Sequence, residues 1–148
     1  TILAVEANPA AVHCARRSLE LYAKRQPQRA ARLQVVAGDA RELAATLMPA
    51  SFHRILAPRP KAQTEKEDDV WATQFLQSLL PLLRPGGCCH WYDFVADWEF
   101  PECARSVARI RAACEDLGLC CDILRCAAAN AKPVAERQYR TVIDFSVA

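Results

Sequence analysis

The sequence predicts an α/β fold, a doubly wound sheet that ends in an antiparallel strand pair. Three observations predict it. Short apolar strand runs alternate with helical stripes from residue 2 to residue 117, the pattern of a parallel sheet flanked by helices. The last two runs, LCCDILRCA and YRTVIDFSV, follow each other with no helix between them, so they pair antiparallel. A carboxylate, Glu6 or Asp39, stands at or just beyond the carboxyl end of each of the first two strands, where open α/β sheets bind ligands.

The elements follow in order. ILAVE, residues 2–6, is an apolar strand. Asn8 is a favoured N-cap and Pro9 suits the first helical position, so a helix starts there. Its apolar stripe passes through positions 11, 12, 15, 19 and 22 and ends near Lys24. QPQRAAR reads as a loop, LQVVA (33–37) as the second strand and ARELAATL as a short helix that closes near Pro49. FHRILA (52–57) is the third strand. The stretch AQTEKEDD reads as a polar loop leading to a helix from Asp69 to Leu83, with Trp71, Phe75, Leu79 and Leu82 on one face. Pro81 removes an interior hydrogen bond and tightens the last turn. RPGG reads as a turn into the fourth strand, CCHWYDFV (88–95). Pro101 opens a helix carrying Val107, Ile110 and Cys114, and Gly118 caps its end. No internal repeat or linker divides the chain, so residues 1–148 read as one domain.

Composition narrows the classes. Hydrophobic residues make up 52% of the chain, too many for a disordered segment. The net charge of +2 is too near neutral to announce nucleic-acid binding. The stretch from Arg16 to Arg32 is nonetheless basic: Arg16, Arg17, Lys24, Arg25, Arg29 and Arg32 face one acid, Glu20. It reads first as a solvated helix face and second as an RNA-facing patch. No apolar run reaches the ~20 residues of a membrane span, and the opening run, a strand carrying Glu6 rather than a basic segment followed by an apolar one, does not read as a signal peptide. The eight cysteines form no CxxC, and the histidines at 13, 53 and 90 stand singly, so neither a disulfide framework nor a metal site is expected. Reduced, buried cysteines fit an intracellular setting, the cytoplasm first.

Each candidate site residue has two readings. Glu6 accepts from ribose hydroxyls or is a solvated acid near the helix start at Asn8. Asp39, in GDAR, accepts from an adenine amino group beside the Ala40 N–H, or it caps the short helix. The two prolines of Pro58-Arg59-Pro60-Lys61 stiffen a lip that holds a flat base, or merely a loop. Arg59 and Lys61 meet phosphate or water. His90 shares a strand face with Tyr92, opposite Trp91, and reads as a packed histidine rather than a proton-transfer group.

Taken together, AVEANPAAV, GDAREL, HRILAPRPK, LRPGGCCHWYDF and PVAERQYRTVIDF resemble the catalytic domain of the tRNA guanine-37 N1-methyltransferase family. That family also contains the wybutosine-pathway aminocarboxypropyl transferase. The resemblance runs from residue 2 to residue 147 and implies a Rossmann-like methyltransferase fold. It further implies S-adenosylmethionine as methyl donor and tRNA as acceptor. It places Glu6 on the ribose, Asp39 and Ala40 at the adenine, and Pro58, Arg59, Pro60 and Lys61 at the lip beside the target base. Many members carry Asn-Leu-Pro at this lip; here Pro58 stands at the Asn position. ILAVE then corresponds to the second strand of the fold. None of the four glycines precedes Glu6, so the first strand, its Gly-rich turn and the base that deprotonates guanine are expected outside this chain. The chain is expected to be an inactive fragment taken alone, with no catalytic residue identified in it. Aminocarboxypropyl transfer, or a non-catalytic RNA- or protein-binding role, are the alternatives.

Overall fold

The computed structural model describes residues 1–59, 65–129 and 132–148, with residues 65–69 described by backbone alone. They form two compact units, residues 1–46 and 47–148.

In the first unit, β1 (Ile2–Glu6) pairs in parallel with β2 (Leu33–Ala37), in register from Ile2↔Leu33 to Glu6↔Ala37. Helix α1 (Pro9–Arg25) joins them. The Asn8 side chain accepts from the Ala10 N–H at 2.9 Å, and Pro9 occupies the first turn, so both start signals in the sequence operate. The stretch expected as a loop contains one short helix, α2 (Pro27–Ala30), whose start Pro27 favours and which buries Ala30. Helix α3 (Ala40–Ala44) follows β2, with Asp39 as its N-cap.

The second unit is built on a four-stranded sheet in the order β3-β4-β6-β5. β3 (Phe52–Pro58) is parallel to β4 (Leu83–Ala96). β6 (Gln138–Val147) is antiparallel both to β4 and to β5 (Cys121–Ala128), the terminal pair that the sequence announced. β4 begins five residues before the expected Cys88, because RPGG is absorbed as an irregularity: Phe52 pairs with Leu83, and the next pair is Arg54↔Cys88. Gly86 takes a φ of +73°, and a Cβ on Gly87 would come within 2.8 Å of Leu83 and the Arg84 carbonyl.

Helix α4 (Glu65–Leu79) starts before the expected Asp69 and gives way to a 3-10 turn at Leu80–Leu82, where Pro81 prevents continuation. Helix α5 (Ala104–Asp116) starts three residues later than the expected Pro101. Both helices cover one face of β4. Phe75 lies 6.3 Å from Trp91, ring centre to ring centre, and Ser106 and Arg109 reach Asp93. Cys89, Trp91, Asp93 and Val95 alternate onto this buried face. Leu76, Leu80, Ile110, Ile143 and Phe145 complete its core.

All eight cysteines are free, as expected, but they are not all buried. Cys14 and Cys120 are exposed, because α1 turns Cys14 to solvent and Cys120 precedes β5. Burial pushes Cys103 up to about 11 and Cys114 to about 12, and it raises Cys89 further.

Two outcomes test this packing. Leu76→Ala should cost about 2–5 kcal/mol in urea unfolding, whereas Leu124→Ala, at a 59% exposed position, should stay within about 0.5 kcal/mol of the native value. Equal losses would mean that the core is misplaced. A thiol reagent at mildly alkaline pH should label Cys14 and Cys120 first and reach Cys89 only on unfolding, as mass spectrometry of digests would show.

Candidate functional site

Parallel pairing brings Glu6 and Asp39 to one edge of the first unit. Glu6 ends β1 opposite Ala37, and the Gly38 N–H donates to the Glu6 carbonyl at 3.0 Å. Asp39 follows one residue later. Glu6 Oε1 accepts from the Asn8 N–H at 2.8 Å, which fixes the carboxylate over the turn. Its Oε2 has no hydrogen bond among the described residues and stands exposed, open to a pair of hydroxyls.

Asp39 is more heavily engaged. Its Oδ1 accepts from the Arg41 N–H at 2.8 Å, the capping bond, and the Arg41 guanidinium reaches both oxygens, at 3.1 and 2.6 Å. This fork holds the Asp39 carboxyl below its usual range, chiefly through the side-chain bond to Arg41. The capping reading of Asp39 therefore holds, and any ligand amino group shares its oxygens with Arg41. Ala40 opens α3 beside it.

In the second unit, Pro58 ends β3 and Arg59 follows it. Pro60 and Lys61 lie outside the described residues. Arg59 is anchored twice: its N–H donates to the Tyr92 carbonyl at 2.8 Å, and its Nε lies 2.6 Å from Asp93 Oδ1. The sequence left Arg59 to phosphate or water; its side chain instead forms an ion pair with a buried acid and is only 12% exposed.

Asp93 is the residue that sequence reading missed. It is fully buried, and its Oδ2 takes the Ser106 hydroxyl at 2.6 Å, Arg109 at 3.0 Å and the Trp91 indole N–H at 3.3 Å. Its Oδ1 also accepts from the Phe94 N–H at 2.7 Å. A signal was present: residues 89, 91, 93 and 95 share a face, so the one acid among them enters the core and must find a cation. His90, on the opposite face, pairs through Nδ1 with Asp144 at 2.7 Å, a satisfied histidine as expected. Asp144 also takes Arg125 at 3.0 Å.

Among the described residues, no cluster of three or more His, Cys, Asp or Glu side chains could hold a metal. No helix there is long and apolar enough to cross a membrane.

No protein-family model and no curated protein matches the sequence. Solved structures do. Trm5b from Pyrococcus abyssi superposes with a TM-score of 0.73 at 24% identity, over 99% of this chain and 37% of that one. TYW2 from M. jannaschii, in complex with AdoMet, gives 0.71 at 18% identity, over 98% and 56%. The M. jannaschii tRNA m1G37 methyltransferase gives 0.66 at 19%, over 99% and 37%. The strand order and these matches define the Rossmann-like fold of S-adenosylmethionine-dependent methyltransferases. The Trm5 and TYW2 structures share this fold with the chain, which spans between 37% and 56% of their length.

The Asp39–Arg41 pair yields a pH test. Asp39→Ala should cost about 1 kcal/mol at neutral pH by removing the cap. Because the carboxyl is held below its ordinary 3.8, its ionic contribution is complete above that value and is lost as pH falls through the folded-state value. The deficit of the variant in thermal unfolding should therefore shrink in acid. A deficit independent of pH would mean that the fork adds nothing.

Proposed function

We propose that residues 1–148 act together as part of the catalytic domain of an S-adenosylmethionine-dependent tRNA methyltransferase, one that methylates N1 of guanosine 37. The observation that carries this reading is the agreement in fold, along nearly the whole chain, with a tRNA m1G37 methyltransferase and with Trm5b. The edge geometry supports it. Glu6 offers an open, exposed carboxylate oxygen at the end of a parallel strand, suited to the ribose hydroxyls of the donor. Asp39 and Ala40 lie at the neighbouring strand end, where the adenine would sit. The donor, when bound, supplies an electrophilic methyl group on a sulfonium sulfur.

The residues of this chain then work by positioning. Glu6 fixes the sugar and Ala40 presents its N–H to the base edge. For a displacement in line between guanine N1 and the methyl carbon, holding the two reactants at the right distance supplies much of the rate. The basic residues of α1 and of the segment that follows it through α2, Arg16, Arg17, Lys24, Arg25, Arg29 and Arg32, are all exposed and suit a polyanionic acceptor. Aminocarboxypropyl transfer is the second reading, favoured by the agreement with AdoMet-bound TYW2.

Calorimetric titration of S-adenosylmethionine into the intact protein tests the donor site. Glu6→Ala should weaken binding by about tenfold or more, the loss expected for hydrogen bonds to a charged group. An unchanged affinity would remove Glu6 from the site, and no binding by the native protein would remove the methyltransferase reading. Donor labelled in the methyl group or in the carboxypropyl chain then tells which group reaches tRNA.

A further inference from the structure

We propose that Trp98 and the two turns around it form a docking site for one unpaired base of single-stranded RNA, guanine by preference. The inference rests on the reading of the acceptor as tRNA, and it names where that RNA is held on the second unit. Of the three tryptophans, Trp91 is fully buried, Trp71 is half-buried and Trp98 is 74% exposed. The Trp98 indole N–H has no hydrogen bond among the described residues. The backbone around it is nonetheless fixed. Trp98 lies in the 3-10 turn Asp97–Glu99, directly after β4. The Asp97 N–H donates to the Arg137 carbonyl at 3.0 Å, and the Glu99 carboxylate takes the Ala96 N–H at 3.0 Å and Arg105 at 3.3 Å. Phe100, the next residue, stacks on Tyr139 with 6.5 Å between ring centres. A ring held out in this way is preorganised to cover a flat partner.

The second turn runs from Ala135 to Gln138 and is closed by the Gln138 N–H, which donates to the Ala135 carbonyl at 3.1 Å. It carries Glu136 and Arg137 at its tip, both exposed. Arg137 takes a φ of +52°, a conformation that suits Gly or Asn, so a long cationic side chain held there points to a use. Trp98, Arg105, Glu136 and Arg137 line one open cavity of about 360 Å³, together with Ala96 and Gln138. It lies beyond the end of β4, which runs parallel to β3, and the carboxyl edge of parallel strands is where such sheets bind ligands. Arg105 is already paired with Glu99, whereas the side chains of Glu136 and Arg137 have no partner among the described residues. One free cation and one free carboxylate beside one aromatic face match a single nucleotide. Its base stacks on the indole, its phosphate meets Arg137, and its donor edge meets Glu136. On their Watson–Crick edges, guanine alone among the RNA bases offers two adjacent donors, N1–H and N2–H, to the two oxygens of a carboxylate. Only an unpaired base has both its face and this edge free.

The test uses the intact protein and a short unpaired oligoribonucleotide containing guanosine, with an adenosine-substituted strand and a blunt RNA duplex as controls. Trp98→Ala should weaken binding of the guanosine strand about tenfold, in the range for loss of one base stack, and Trp98→Tyr should restore most of it. Glu136→Gln should reduce the preference for guanosine over adenosine, and Arg137→Gln should lower the salt slope by about one. All three side chains are exposed, so unfolding temperatures should stay at the native value. Duplex binding should not respond to Trp98→Ala. An unchanged affinity of Trp98→Ala for the guanosine strand would overturn the proposal, and so would an equal loss on strand and duplex. If RNA binding is unchanged while Trp98→Ala abolishes self-association of the protein in sedimentation, the patch is a protein contact and the proposal falls. If the native protein transfers nothing to tRNA but still selects the guanosine strand through Trp98, the functional reading fails and the site stands. If transfer occurs and Trp98→Ala alters neither strand affinity nor the KM for tRNA, the site fails alone.

Discussion

The carboxylate of Asp93 is the constraint on which the larger unit depends. It lies fully buried in β4 and takes donors from β3's end, β4 itself and α5, while β6 reaches its backbone carbonyl through Thr141. A buried charge cannot be left half satisfied: removing one partner of such a pair costs about 3–5 kcal/mol. The strand order, the seating of α5 and the place of Arg59 directly after β3 are all consistent with keeping this group paired. The apolar side chains buried in the same unit, among them Trp91, Leu76, Ile110 and Phe145, make a dry core, and a dry setting strengthens each of its bonds.

The smaller unit works by a different principle. Its two acids sit at strand ends because parallel pairing aligns carboxyl edges, and they stay accessible because the chain turns into a helix at each edge. The two carboxylates are then treated unequally. Asn8 occupies one oxygen of Glu6, whereas Arg41 occupies both oxygens of Asp39. That asymmetry suits Glu6 to accept from a ligand and leaves Asp39 largely occupied in ordering α3 and the backbone around Ala40.

Most of the elements were legible because their signals are local. Asn8-Pro9 starts α1, Pro81 ends α4, and the absence of a helix between β5 and β6 makes them antiparallel. The departures are also local in cause. Pro27 starts a single helical turn inside a stretch rich in loop formers, and Gly86-Gly87 let β4 continue through what resembles a turn. On α5 the apolar residues Val107, Ile110 and Cys114 pointed to the buried face, but Ser106 and Arg109 share it, since the Asp93 carboxylate on the facing strand β4 makes their burial favourable.

The sequence by itself determined the alternation of strands and helices, the terminal antiparallel pair and the two acids at strand ends, because periodicity, capping and strand termini are written in neighbouring residues. Only the tertiary structure decided that Asp93 gathers Arg59, Ser106 and Arg109, residues as much as 50 positions apart in the chain (59 to 109). Such a cluster has no sequence spacing of its own. It exists because a carboxylate carried into the core by strand alternation is stable only where cations from other elements converge on it.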